Sequence, residues 1–192
     1  MAMRKRQQNP FKPTFGASPP VLAGRDHLLQ SFDDALFDGP GSPGRATLYT
    51  GARGSGKTAL LNAIEGKAGR DFGWVVVSET ATPGLVGRLT QAHLPGLLSR
   101  FDPQAVGRNL SQIGFPVTGG SLSWTSINQH AVTLDLRAQV SLLTDLLREN
   151  ETGLLITVDE IHKHQAQDLK EIATAVQHGF REDRDLALAA AG

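Results

Sequence analysis

The residues best equipped for chemistry are eight in a row: Gly51-Ala52-Arg53-Gly54-Ser55-Gly56-Lys57-Thr58 fill the pattern G-x-x-x-x-G-K-[ST] at every fixed position. Glycines at 51, 54 and 56 can take positive φ and let main-chain N–H groups close around an anion, because no Cβ intervenes. A helix starting behind them adds the positive end of its dipole. The chemistry this suits is phosphate binding. Lys57 is then a mobile cation at the outer phosphates, and the Thr58 hydroxyl is a ligand for a bridging Mg²⁺. At the variable positions Ala52, Arg53 and Ser55 the backbone N–H groups matter more than the side chains. An accidental glycine turn is the rival reading, and it has no reason to fill every fixed position in front of a helical pattern.

A second set of reactive residues closes the apolar run Leu154-Leu155-Ile156-Thr157-Val158-Asp159-Glu160. An apolar strand ending in two carboxylates looks like a Walker B motif. Asp159 would hold Mg²⁺ directly or through water, and Glu160 would orient and deprotonate an attacking water. Two solvated acids at a strand end are the alternative, and the filled phosphate loop upstream weighs against it. His162 and His164 could suggest metal ligands beside Glu160. A solvent-facing pair is the favoured reading, since zinc needs further ligands that the neighbourhood does not supply. Arg25 fits either a phosphate contact or a structural ion pair.

These residues need elements to hold them. Ala46 to Thr50 reads as a short buried strand leading into the glycine loop, and Thr58 to Glu65 as the helix behind it, with Gly66 and Gly69 marking its end. Upstream, Asp26 is a candidate cap for a helix carrying Leu28, Leu29, Phe32, Ala35 and Leu36 on one face. Trp74 to Ser78 is a continuous apolar run, the pattern of a strand buried on both faces of a parallel sheet. Thr82 and Pro83 suit a helix entry covering Leu85, Val86, Leu89 and His93, which Pro95-Gly96 kinks or divides. Asp135 can cap a helix through Leu136, Val140, Leu143 and Leu147, after which Gly153 turns the chain into the acidic strand. Asp168, Leu169, Ile172 and Val176 form another amphipathic helix with Gly179 as its stop, and Leu186 to Ala191 is a last strand. Between Asp102 and Thr133, Ile113 to Val117 and Leu122 to Thr125 can pair as a hairpin inserted outside the main sheet. Its Phe115 and Trp124 are either contact handles or ordinary packed aromatics.

The alternation predicts an α/β fold of three layers, the P-loop NTPase type, with a mainly parallel sheet of four core strands and a hairpin insertion. Residues 1–19, carrying Pro10, Pro13 and Pro19 among polar and basic residues, read as a flexible arm, and 20–192 as one nucleotide-binding domain. Lys plus Arg, 19, equals Asp plus Glu, 19, so bulk charge points to neither nucleic acid nor an anionic membrane. The absence of cysteine removes disulfides, zinc thiolates and cysteine nucleophiles. No apolar run reaches spanning length, and the basic start leads into a polar segment, so a cytoplasmic protein without membrane contact is expected.

Taken together, Pro20-Val21-Leu22-Ala23-Gly24-Arg25, the glycine loop and the acidic strand resemble the AAA+ ATPases, closest to bacterial ATP-binding proteins and the archaeal-type and replication-initiator-like branches. The likeness covers about 20–192, and its specific parts are the two Walker motifs. It implies an ATPase core with ATP and Mg²⁺ as cofactors, Leu22, Ala23 and Arg25 at the nucleotide's base end, Lys57 and Glu160 as catalytic residues, and Thr58 and Asp159 at the metal. It also implies that Ser78 can hold the catalytic glutamate until a partner arrives, that the client is DNA or protein, and that the full-length protein self-associates. Members of the family continue past the strand matching Leu186 to Ala191 with a sensor, an arginine finger, a fifth strand and a lid. By that measure the chain reads as a module lacking its C-terminal part, weak or inactive in hydrolysis, with the Ala46 to Thr50 strand as an open edge. A switch domain of a signalling or transcription regulator uses the same motifs and is the alternative. Reading Asp159-Glu160-Ile161-His162 as a DExH helicase box finds no Ser-Ala-Thr triplet downstream to support it.

Overall fold

The computed structural model of the chain describes residues 24–101, 135–162 and 166–192. Strands β1 (Ala46–Tyr49), β2 (Val75–Thr80), β3 (Leu154–Asp159) and β4 (Leu186–Ala191) form one sheet in the order β1-β4-β3-β2. All neighbouring pairs are parallel. The helices are α1 (Asp26–Phe37), α2 (Lys57–Asp71), α3 (Leu85–Arg88), α4 (Leu94–Phe101), α5 (Leu136–Glu149) and α6 (Ala166–Arg181). This is the three-layer α/β architecture with a four-stranded parallel sheet that the sequence predicts.

Alternating strand residues build the two halves of the core, because successive side chains point to opposite faces. Leu155, Ala187, Ala189 and Ala191 meet Phe32 and Leu36 of α1 and Leu60, Leu61, Ile64 and Ala68 of α2. On the other face Leu154, Ile156, Val158 and Leu186 meet Leu143 and Leu147 of α5 and Ile172 and Val176 of α6. Each buried leucine or isoleucine contributes about 1.5–3 kcal/mol, so these two half-cores outweigh any single polar contact. The second layer stops short of β1. There Ala46, Leu48, Leu188 and Ala190 line an apolar groove beside Leu169, Ile172 and Ala173 of α6, and Leu48 is 59% exposed. Among the described residues β1 pairs only with β4, at the edge position expected of it.

At the amino edge of the sheet, buried Arg45 fastens α1 to the strands. Its guanidinium donates to the carbonyls of Ala35 (3.0 Å) and Leu36 (2.8 Å) near the C-terminus of α1 and to Asp185 at 3.0 Å. It also lies over the Trp74 ring, 5.0 Å from the centroid. A cation at the negative end of a helix is the favourable placement.

Several boundaries differ from the sequence reading, each for a tertiary reason. Asp26 does not cap α1: Arg25 holds that position and no side chain caps the helix, so Asp26 contributes only as a first-turn acid. Helix α2 runs through Gly66 and Gly69 and stops before Gly73, whose φ of 68° allows the left-handed turn. Thr82 does not cap the next helix, which starts at Leu85 behind Gly84. The cap comes from α6, where Asp168 Oδ2 accepts the Leu85 N–H at 3.1 Å. Pro95-Gly96 do not divide α4; the irregularity is a π turn, Leu89–His93, just ahead of them. Proline lacks the N–H that would bond back into that turn. Gly179 does not stop α6 but lies inside it, where a Cβ would come within 2.6 Å of Leu186 Cδ2. Asp135 does cap α5, accepting the Ala138 N–H at 2.7 Å. The arm at 1–19 and the hairpin expected within 113–125 lie outside the described residues. No helix among the described residues is long and apolar enough to cross a membrane.

Candidate nucleotide site

Because all four strands are parallel, β1 and β3 both present their carboxyl ends to one edge of the sheet, and α2 leaves β1 on the face opposite to α6. That edge is where open α/β sheets place their ligands. Between β1 and α2, Gly54 and Gly56 take φ of 79° and 82°, values that a side chain would strain. The loop is tight: Ser55 N–H donates to Ala52 O at 3.2 Å, and a Cβ on Gly51 would lie 3.1 Å from Ser55 Oγ. Gly56 is the N-cap of α2 and offers no side chain to its first-turn N–H groups, the condition under which a helix start receives an anion.

Lys57 is the first residue of α2, and its ammonium folds back over the loop to donate to Gly51 O at 2.8 Å and Ala52 O at 3.1 Å. Arg25 donates to the carbonyl of Ser55. Among the described residues its contact is thus with the loop backbone and not with an acidic side chain. From the facing strand, Asp159 Oδ2 accepts the Thr58 hydroxyl at 2.6 Å, and Oδ1 accepts the Glu160 N–H at 2.8 Å. Glu160 has φ of 57°, a left-handed conformation that costs a non-glycine residue about 1–2 kcal/mol. This turn ends the strand and leaves Glu160 exposed at the rim.

The tip of β3 is fastened on its other side to β2. Ala81 N–H donates to Asp159 O at 2.8 Å. Glu79, nearly buried, accepts Arg88 Nε at 2.8 Å and lies 2.7 Å from His93 Nε2, while Arg88 also donates to the carbonyls of Thr80 and Pro83. Burial works against ionisation of Glu79, but the hydrogen bonds from Arg88 and His93 outweigh it and hold its carboxyl below the usual range.

Sequence reasoning missed one residue of this neighbourhood. Glu65 Oε1 accepts Ser78 Oγ at 2.7 Å and also the Thr157 hydroxyl. Ser78 therefore gives its hydroxyl to Glu65, and not to Glu160 as the resemblance implied. A signal was present: Thr58 and Glu65 stand two turns apart on one helix, and Thr157 and Asp159 alternate on one strand. Leu22 and Ala23 lie outside the described residues, as does His164. His162 is exposed, and among the described residues no three His, Cys, Asp or Glu gather as a metal cluster. The Thr58 hydroxyl and Asp159 carboxylate are hard oxygen donors in contact, a pair that fits Mg²⁺ shared with phosphate and water.

A glycine loop between a strand exit and a helix start, facing a carboxylate at the tip of another parallel strand, is the arrangement of the P-loop class of nucleotide-binding proteins. Residues 21–187 match the model of the AAA ATPase domain family, and the chain belongs to that family. It carries a nucleotide-binding ATPase core. No curated protein matches the chain.

Proposed function

We propose that this domain binds ATP with Mg²⁺, hydrolyses it and couples the hydrolysis to remodelling of DNA or protein in the cytoplasm, as a self-associating assembly. One observation carries the reading: Thr58 and Asp159, from the two motifs, are joined by a 2.6 Å hydrogen bond across 101 residues of sequence. In this reading the backbone N–H groups of 51–57 hold the phosphates, and Lys57 leaves its loop carbonyls for the β- and γ-phosphates. Thr58 and Asp159 would hold Mg²⁺, which supplies charge neutralisation on the phosphate oxygens. Glu160, exposed past the strand tip, orients the attacking water and takes its proton. Leu22, Ala23 and Arg25 serve the base end, with Arg25 also bracing the loop through Ser55.

The test is nucleotide binding and turnover with three proteins. Wild type binds a fluorescent ATP analogue and Lys57→Ala binds it at least tenfold more weakly, a loss of about 1.4 kcal/mol or more. Glu160→Gln keeps the binding and lowers turnover by about 10²–10⁴, the span of a positioned general base. Equal binding by the Lys57 variant would remove the site; unchanged turnover in the Glu160 variant would remove its role.

A further inference from the structure

From the hydrogen bonds between α2 and the sheet we infer that Glu65 is a positioning residue for the metal half of the site, a role that rests on the nucleotide reading above. Helix α2 is fixed to β3 by polar clamps at two levels. The upper one is Thr58 to Asp159 at 2.6 Å. The lower one is Glu65, whose Oε1 receives the hydroxyls of Thr157 and Ser78, residues paired across the β2–β3 ladder.

The geometry explains why two levels are needed. Thr58 and Glu65 are separated by about 10 Å along the helix axis, and Asp159 and Thr157 by about 7 Å along the strand. On a helix already packed through Leu60, Leu61, Ile64 and Ala68, one directional bond acts as a pivot, whereas two resist both slide and rotation. The upper clamp is made from the same two groups that would bind Mg²⁺, so it is the one that must adjust to a metal, although a hydroxyl ligating through its oxygen keeps its proton for Asp159. The lower clamp remains. Its Thr157 half sits on the inner side of the helix, where that residue is 1% exposed and water competes weakly for its hydroxyl, while Ser78 is exposed. Glu65 therefore keeps Thr58 opposite Asp159 while the upper clamp adjusts to the metal. The apolar contacts of this helix, Leu60, Leu61 and Ile64 against Leu155 and the β4 alanines, are non-directional and define register less sharply than a hydrogen bond does.

The experiment measures binding of a fluorescent ATP analogue in EDTA and across a Mg²⁺ titration, for wild type, Glu65→Leu, Glu65→Gln and the double variant Ser78→Ala/Thr157→Val. Glu65→Leu is expected to leave affinity in EDTA within about twofold of wild type while raising the Mg²⁺ concentration for half-maximal tightening about tenfold, the usual effect of losing an outer partner of a metal ligand. Glu65→Gln retains the acceptor oxygen and restores the wild-type Mg²⁺ dependence. The double variant, which keeps Glu65 and removes its donors, reproduces the Leu phenotype even if Glu65→Leu fails to fold. Glu65→Leu and the double variant with wild-type Mg²⁺ dependence would overturn this proposal alone, and so would Glu65→Gln behaving like Leu. Wild type that binds no nucleotide in either condition would overturn the site assignment and this proposal with it.

Discussion

At the scale of single residues, the site is defined by what glycine permits and what one carboxylate accepts. Gly54 and Gly56 meet no atom within 4 Å where a Cβ would stand, so their role is conformational, not steric. Gly153 is the opposite case. A Cβ there would lie 2.6 Å from the Trp74 ring and 2.8 Å from Asp185 O, and both are fixed, the ring by Arg45 stacked on it and the carbonyl by the Leu154 N–H. Gly153→Ala should therefore destabilise the fold by about 1–3 kcal/mol, the range for overpacking, which urea denaturation would read directly. A variant as stable as wild type would show that Trp74 can move away. The sequence offered Gly153 as a turn; the close approach became visible only once β2 and β3 lay side by side.

Among elements, the connection leaving β2 shows how structure near the site is held by groups far away in sequence. Asp168 caps α3 across 83 residues, and Glu79 anchors both Arg88 and His93. The carboxyl of Glu79 is held below its usual range, so its contribution is present above the unfolded value of about 4.3 and is lost as pH falls through the lower folded value. Glu79→Gln should cost about 1.5 kcal/mol at pH 7, the scale of a charge-assisted hydrogen bond, with the difference from wild type shrinking under acid. Denaturation at pH 7 and in acid measures it, and a penalty that persisted below the folded value would refute the ionic account. Helical periodicity made these helices readable. It carried no information about the π turn or the borrowed cap, because both depend on neighbours and not on spacing.

The whole molecule has two ends with different duties. The carboxyl edge carries the loop, the lysine and the acids; the amino edge carries Arg45, which joins α1, Trp74 and Asp185. Arg45→Met should cost about 1–3 kcal/mol, the scale of leaving buried acceptors such as the Ala35 and Leu36 carbonyls without their donor while the partly exposed Asp185 turns to water, and should leave nucleotide affinity of the folded fraction unchanged. Parallel thermal melts and binding titrations separate the two effects, and a large affinity loss in a stable variant would contradict this division. The chain alone determined the glycine loop, the acidic strand, the parallel three-layer fold and the family, since motifs and apolar runs are properties of contiguous residues. Tertiary structure alone decided that the Thr58 hydroxyl donates directly to Asp159, that Ser78 and Thr157 turn to Glu65, that Asp168 caps α3, and that Gly66, Gly69 and Gly179 lie within helices. Those outcomes depend on which groups the strand order β1-β4-β3-β2 brings within hydrogen-bond reach, and spacing along a chain does not encode distance across a sheet.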